Sequence, residues 1–225
     1  MPSSRNETFS TRGAVRYGWE TTLANLKPLL LIGLAGAILA ALNSSLTSEG
    51  PNAAPRALLA LVVQVLQVGI TLIWIRTALR LHDGQSVDLK HPGSLLGEFV
   101  PFLIASFLYG MLVAFGMVLL IVPGLYWGAR YGLTTLLVAD RKLDPMAAFR
   151  ESARLTDGVK GDLLLFALVL LGLNILGAIP MGLGLFLTIP TSFLAAAHVF
   201  RLLQVRGQLR SGQPVPLSPA HGIPA

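Results

Sequence analysis

The stretch ALLALVVQVLQVGITLIWI (residues 57–75) has no charge between Arg56 and Arg76, and it decides the fold class of the chain. A helix rises 1.5 Å per residue, so about 20 apolar residues cross the hydrocarbon core of a bilayer, which is about 30 Å thick. The stretch also lacks the alternation of apolar and polar residues that marks the strands of a membrane β-barrel. It therefore predicts a transmembrane helix.

Three further parts of the chain are almost free of charge. Residues 28–48 and 163–200 contain no Asp, Glu, Lys or Arg, and residues 99–139 contain only Arg130. The first of these parts has the length of one spanning helix, whereas each of the other two is long enough for two. The chain is therefore predicted to be an all-α, polytopic integral membrane protein.

Turn signals divide the two longest apolar parts. Pro123-Gly124 lies near the middle of one, and the Gly- and Pro-rich stretch 177–184 lies near the middle of the other. The sequence thus predicts one membrane domain over 1–206, followed by a disordered cytoplasmic tail over 207–225. The six predicted transmembrane helices form three hairpins and lie near 28–43, 57–79, 99–122, 125–140, 162–179 and 183–205.

The composition excludes several classes of protein. Only 12% of the residues are charged and 53% are hydrophobic, with a mean hydropathy of +0.67, whereas soluble domains carry about 25% charged residues. The chain is therefore neither an ordinary cytosolic enzyme nor a disordered chain. The absence of Cys excludes a disulfide scaffold and Cys-ligated metals. We attribute the net charge of +6 to loops that face anionic lipid, and we expect no nucleic-acid partner.

The distribution of Lys and Arg predicts the orientation in the membrane. Of the 17 cationic residues, 15 lie in the N-terminal segment, in the loops after the second and fourth predicted helices, or at the C-terminal end. Arg56 is alone on the opposite face, and Arg130 lies within a predicted span. Because cytoplasmic loops carry the excess of Lys and Arg, both termini are predicted to be cytoplasmic.

Two amphipathic helices are predicted at the cytoplasmic interface, near 10–24 and 145–156. Two residues mark the start of the second helix: Asp144 can cap it, and Pro145 suits the first position of a helix. Each helix is expected to lie flat, with its apolar side in lipid and its cations near phosphates. The residues predicted to contact anionic headgroups are Arg150, Arg154 and Lys160.

A short motif carries a resemblance to a known family. A Pro-Gly turn precedes an aromatic-rich helix with Arg130, and a later stretch reads Ala148-x-x-x-Ser152-x-x-Leu155-Thr156-x-Gly158. This pattern resembles the membrane domain fused to some bacterial glycerophosphodiester phosphodiesterases, and the small stand-alone bacterial membrane proteins related to it. The resemblance implies a multi-pass protein of the bacterial plasma membrane. The fused enzymes carry a catalytic barrel of about 250 residues, for which six spans leave no room here.

Polar side chains inside the predicted spans are the candidate site residues. By helical rise, Arg130 is expected about 9 Å below the outer boundary, in one polar layer with Gln64 and Asn174, while Gln67 of the same candidate set is expected near mid-membrane. This layer is either a polar pocket that attracts an anionic solute or lipid phosphate, or a structural set in which Arg130 snorkels to headgroups. No carboxylate lies within the charge-poor parts 28–48, 57–75, 99–139 and 163–200 of the predicted spans to neutralise the arginine.

The sequence shows no recognisable catalytic set. It lacks paired carboxylates within spans, a phosphate-binding glycine loop and a nucleophile elbow, and the spacing of His82 and His91 fits no metal site. We therefore expect a non-enzymatic membrane protein without cofactors, acting in envelope maintenance or as a scaffold. The alternative is a small transporter, channel or lipid-handling protein for an anionic solute or lipid. Membrane lipids, with anionic headgroups on the cytoplasmic face, are the expected partners, and a homo-oligomer or a protein partner is left open.

Overall fold

The computed structural model describes residues 9–47, 53–85, 93–119, 121–180 and 182–210. Every regular element within these ranges is an α-helix. In chain order the helices are α1 (Thr11–Ala24), α2 (Leu26–Thr47), α3 (Ala53–His82), α4 (Gly93–Leu119), α5 (Ile121–Tyr131), α6 (Thr134–Arg141), α7 (Pro145–Leu155), α8 (Lys160–Ala178) and α9 (Leu185–Arg210).

The described residues confirm the predicted all-α class, and five of their helices are long and apolar enough to cross a membrane. They are α2, α3, α4 from Gly97, α8 and α9, and the mean hydropathy of their most apolar windows lies between 1.5 and 2.3. The longest charge-free parts of the sequence thus form the candidate spans.

The predicted helix at 125–140 is broken in the structure. Helix α5 ends at Tyr131 and α6 begins at Thr134, so the two helices are about 17 and 12 Å long, and each is too short to span. Gly132 lies at the break, where its low helix propensity favours an interruption. The structure therefore does not reproduce a sixth span. Pro123 and Gly124 also lie within the first turn of α5 rather than in a turn between helices.

Small residues allow the helices to approach one another closely. A Cβ atom on Gly116 of α4 would lie 2.7 Å from the Cα of Gly124 on α5, and one on Gly177 of α8 would lie 2.6 Å from Oγ1 of Thr188 on α9. Such contacts are closer than real Cβ atoms make, so only glycine fits at these positions. Close packing of small residues is the usual way in which helices associate in membranes.

Helix α1 packs along α9, whereas the sequence predicts that it lies flat at the cytoplasmic interface with its apolar side in lipid. A Cβ atom on Gly18 would lie 2.4 Å from the carbonyl oxygen of Thr191, and Oγ1 of Thr22 is 3.2 Å from Oγ1 of Thr191. One turn earlier on α1, the ring of Tyr17 stacks on His198, with a centroid distance of 4.7 Å. The two helices are therefore antiparallel, and α1 follows a helix that is itself a candidate span.

Helix α9 is the centre of the core. The most deeply buried of its side chains include Leu194, Ala197, Phe200 and Leu203, each at most 1% exposed. The helix continues to Arg210, so residues 207–210 are helical and do not belong to a disordered tail. The rest of the predicted tail, 211–225, lies outside the described residues.

A carboxylate within a candidate span joins α3, α4 and the residue after α6. Glu98 is buried on α4 and forms ion pairs with Arg76 of α3 and with Lys142, the latter at 3.1 Å. The expectation that the spans contain no Asp or Glu is therefore wrong, because α4 begins earlier than predicted. Arg201 similarly joins α9 to Asp83, at 2.5 Å, and to Asp140, at 2.8 Å.

Candidate functional site

The backbone of Arg130 is held by two hydroxyl groups of α7 and the residue after it. Ser152 Oγ and Thr156 Oγ1 each lie 3.0 Å from the carbonyl oxygen of Arg130 and donate to it, and both residues are fully buried. This carbonyl is near the C-terminal end of α5, where carbonyl groups lack partners within the helix. The Ser and Thr of the sequence motif therefore fix the end of α5 against α7.

Helix α7 and the turn after it position the charged residues next to Arg130. The helix begins at Pro145, and Oδ2 of Asp144 accepts from the N–H of Met146 at 3.0 Å, which is the start that the sequence predicts. Gly158 has a φ of +77°, a left-handed conformation that glycine adopts without strain. This turn brings Asp157 and Lys160 close to the end of α5.

Basic side chains line an open cavity of about 550 Å³ between α5, α7 and α9, which we call the arginine cleft. Arg130 comes from α5, while Arg206 and Arg210 lie one turn apart on α9. The residues that line the arginine cleft are Arg130, Ala153, Arg154, Leu155, Asp157, Arg206, Gly207 and Arg210.

Two of the charged residues of the arginine cleft have partners of opposite charge. Arg154 binds Glu151 through two nitrogens, at 2.8 and 2.9 Å. Lys160 Nζ lies 3.2 Å from the carboxylate of Asp157, and this interaction holds the pKa of Asp157 below its usual value. Asp157 therefore stays ionised at neutral and mildly acidic pH.

The other three arginines have no carboxylate within 4.0 Å among the residues that the structure describes. These are Arg130, Arg206 and Arg210. Arg210 Nη1 is 3.4 Å from the carbonyl oxygen of Asp157. Within the same described ranges, the buried Nε of Arg130 and Nη1 of Arg206 have no hydrogen-bond partner. Buried donors without partners are rare in folded proteins, so these two point to an acceptor that a ligand supplies.

The side chain of Arg130 is oriented by aromatic neighbours. Its Nη1 donates to the hydroxyl of Tyr126 at 3.1 Å, and Lys160 Nζ donates to the same hydroxyl at 3.3 Å. These two hydrogen bonds lower the pKa of Tyr126, and the bond to Tyr126 raises the pKa of Arg130. The guanidinium also lies 5.7 Å from the ring centroid of Tyr131, within the range of a cation–π interaction.

An apolar cavity of about 530 Å³ adjoins the arginine cleft, and we call it the apolar cleft. Both cavities are lined by Arg130 and Ala153. Met146 is 61% exposed at the edge of the apolar cleft, so this surface opens outward. The residues that line the apolar cleft are Leu108, Leu112, Arg130, Tyr131, Met146, Phe149, Arg150 and Ala153.

The predicted polar layer is not formed. Arg130 reaches Lys160 through Tyr126, and Lys160 is fourteen residues, or about 21 Å, from Asn174 on the same helix. Asn174 instead donates to Ser192 Oγ on α9 at 2.9 Å, which is a structural contact between helices. Arg130 therefore lies at the end of α8 where the predicted cytoplasmic cations cluster, and not near the opposite boundary.

The remaining predicted site residues separate into two groups. Gln64 is exposed on α3, Gln67 is half-buried one turn along the same helix, and neither lines the arginine cleft. Arg150 lines the apolar cleft, Arg154 lines the arginine cleft, and Lys160 pairs with a residue of the arginine cleft. The three predicted headgroup contacts are thus close to Arg130.

Arg206 and Arg210 were not among the predicted site residues. Their spacing of four residues near the end of an apolar helix places both on one helical face, and this was a usable signal. Their proximity to Arg130, however, depends on the packing of α9 against the turn after α7.

A second polar cluster lies near the ends of α3 and α6. His82 Nε2 is 3.1 Å from His198 Nδ1, and Asp83 follows beside Arg201. Within the described residues, no group of three or more His, Asp or Glu side chains could hold a metal ion. His91, considered with His82 from the sequence, lies outside the described residues.

Compared with known protein families, curated proteins and solved structures, the chain gives no match. The resemblance drawn from the sequence motif stays a prediction.

Proposed function

We propose that this protein is a non-catalytic membrane protein that binds an anionic lipid at the arginine cleft. The phosphate lies among the arginines, and an acyl chain of the same lipid lies along the apolar cleft. The observation that carries the proposal is the shared wall: Arg130 and Ala153 line both cavities. One ligand with a charged end and an apolar end fits this arrangement.

The electrostatics of the arginine cleft favour an anion. Three guanidinium groups approach one cavity without carboxylate partners among the described residues, and Arg pairs with phosphate through two parallel hydrogen bonds. Basic pockets between membrane helices are a known mode of recognition for lipid headgroups. The excess of Lys and Arg in the same segments supports a cleft that faces the cytoplasmic leaflet of a bacterial plasma membrane.

The surroundings of the two clefts favour a lipid over a free solute. Leu108 and Met146, at the edge of the apolar cleft, are exposed, as is Leu209 next to Arg210. In a membrane-embedded chain, such exposed apolar side chains contact acyl chains. A lipid whose acyl chains contact these side chains can therefore place its phosphate in the arginine cleft.

The proposal is tested by lipid-dependent stabilisation of the purified protein in neutral detergent micelles. A ligand that binds only the folded state raises the free energy of unfolding as its concentration rises. We expect phosphatidylglycerol to raise the melting temperature and phosphatidylcholine to leave it unchanged. Arg130→Gln should lower the affinity for phosphatidylglycerol about tenfold, because loss of one hydrogen bond to a charged group costs about 1.5 kcal/mol or more. A correspondingly higher lipid concentration should then be needed for the same rise in melting temperature.

Arg12→Gln is the matched control, because Arg12 is exposed on α1 and lines neither cleft. It should respond to phosphatidylglycerol as the wild type does. Equal stabilisation by the two lipids would refute recognition of an anionic headgroup. Equal losses in the two variants would refute a specific site and leave only general attraction to anionic surfaces.

A further inference from the structure

The number of unpaired arginines in the arginine cleft points to the chemical class of the headgroup. Resting on the proposed function, we infer that the ligand is a lipid with a terminal phosphate monoester, as in phosphatidic acid, and not a phosphodiester lipid. Both the donor count and the charge balance of the cleft lead to this class.

The three arginines without carboxylate partners outnumber the two non-bridging oxygens of a phosphodiester. A phosphodiester has two non-bridging oxygens, whereas a monoester has three terminal oxygens that are all strong acceptors. Arg130, Arg206 and Arg210 enter the cleft from two helices, and two of them hold buried nitrogens without a partner among the described residues. Three terminal oxygens allow each guanidinium its own acceptor.

The charge balance gives the same result. Arg154 pairs with Glu151, which also lies 3.7 Å from Arg141, and Asp157 pairs with Lys160. Three arginines remain, and Asp162 is the other carboxylate that acts on one of them, Arg206, from the first turn of α8. An excess of about two positive charges is left, which a monoester dianion balances and a diester monoanion does not.

The pH dependence of the ligand distinguishes the two classes. A phosphomonoester loses its second proton near pH 6, whereas a phosphodiester carries one charge throughout the range from pH 5.5 to 7.5. The charged and titratable groups that face the cleft are Tyr126 and Arg130 on α5, Glu151 and Arg154 on α7, Asp157 in the turn, Lys160 and Asp162 on α8, and Arg206 and Arg210 on α9.

The experiment compares phosphatidic acid with phosphatidylglycerol of the same acyl chains, titrated into micelles of a neutral detergent at pH 5.5 and 7.5. We expect phosphatidic acid to bind about tenfold more tightly than phosphatidylglycerol at pH 7.5, and this preference to shrink at pH 5.5. The affinity for phosphatidylglycerol should not change with pH. Arg206→Gln should remove most of the preference, Arg206→Lys should keep part of it, and Arg12→Gln should keep all of it.

The outcomes separate failure of this inference from failure of the proposed function. Equal binding of the two anionic lipids at both pH values overturns the monoester assignment and leaves the lipid site. If neither anionic lipid binds, both are overturned. Glycerol 3-phosphate is the soluble probe that competes with phosphatidic acid. Competition only at a far higher concentration supports a lipid as the source of the phosphate. Binding of glycerol 3-phosphate as tight as that of phosphatidic acid overturns the lipid function and keeps the monoester chemistry. The melting temperature of each variant without lipid verifies that it is folded.

Discussion

Replacing Ser152 with Ala and Thr156 with Val together should destabilise the protein more than the two single replacements predict. Both hydroxyl groups donate to the carbonyl oxygen of Arg130 at 3.0 Å. Thr156 Oγ1 carries a single proton and lies 2.8 Å from a second acceptor, the carbonyl oxygen of Ser152. When one hydroxyl is removed, the other can still supply the donor that Arg130 needs.

The magnitudes follow from this redundancy. Each single variant loses a hydrogen bond between helical segments, which costs about 0.6 kcal/mol on average in membrane proteins. The double variant deprives the carbonyl of both hydroxyl donors in a buried place, and an unsatisfied buried group costs about 1–3 kcal/mol. We therefore expect a loss of about 2 kcal/mol in the double variant, with a coupling of about 1 kcal/mol beyond the sum of the single losses.

The assay is reversible unfolding by denaturant in detergent micelles, with a double-mutant cycle over the four proteins. Thr71→Val is the control, because its hydroxyl bonds to the carbonyl oxygen of Gln67 within the same helix. The reasoning is refuted if the single losses add up to the double loss, or if the double variant is as stable as the control. Binding of anionic lipid should also fall in the double variant, since the side chain of Arg130 is positioned through its backbone.

Three further changes test the packing and the charges. Gly18→Leu should lower the free energy of unfolding by about 3 kcal/mol, because its Cβ would meet a backbone carbonyl of α9 at 2.4 Å, whereas Gly13→Ala, on the open side of α1, should be neutral or stabilising. Glu98→Gln should cost about 2 kcal/mol by leaving its arginine partner on α3 without a counter-charge, and Lys142→Gln, at an exposed ion pair, should cost less than about 1 kcal/mol in the same unfolding assay. Lys160 lowers the pKa of Asp157 in the fold, so the stabilising effect of Asp157 is present above its unfolded pKa and is lost as the pH falls through its folded pKa. Asp157→Asn should remove this loss of melting temperature on acidification below the ordinary Asp pKa of about 4, and it should raise the affinity for anionic lipid.

Local sequence features predicted most of the helices because a charge-free run of sufficient length has few other structures in a membrane. The runs 28–48, 57–75 and 163–200 contain most of α2, α3, α8 and α9. The sequence does not predict the break at Gly132, because the donors that bind the nearby carbonyl oxygen of Arg130 are 22 and 26 residues away from it, at Ser152 and Thr156. The length of an apolar run predicts a spanning helix, but it does not show where a side chain from a distant part of the chain binds a backbone carbonyl and ends that helix.

The candidate site was predicted only in part for the same reason. Arg130 was identified because it is isolated in an apolar run, yet its depth was estimated along an unbroken helix that the structure interrupts. The motif residues Ser152 and Thr156 carry the family resemblance, and in the structure their hydroxyl groups donate to the carbonyl oxygen of Arg130. Arg206 joins them through packing between elements that are about fifty residues apart in the chain.

The pairing of α1 with α9 has a consequence for the order of assembly. The contact between Thr22 and Thr191 joins residues 169 positions apart, and ribosomes add about 5–20 residues per second. About 10–30 s therefore pass between the synthesis of Thr22 and the synthesis of Thr191. During that interval the face of α1 formed by Ala14, Gly18 and Thr22 lacks the helix that buries it. Docking of α1 against α9 is thus a late step that follows membrane insertion. In a nascent chain arrested before residue 191, α1 would not yet be packed against α9.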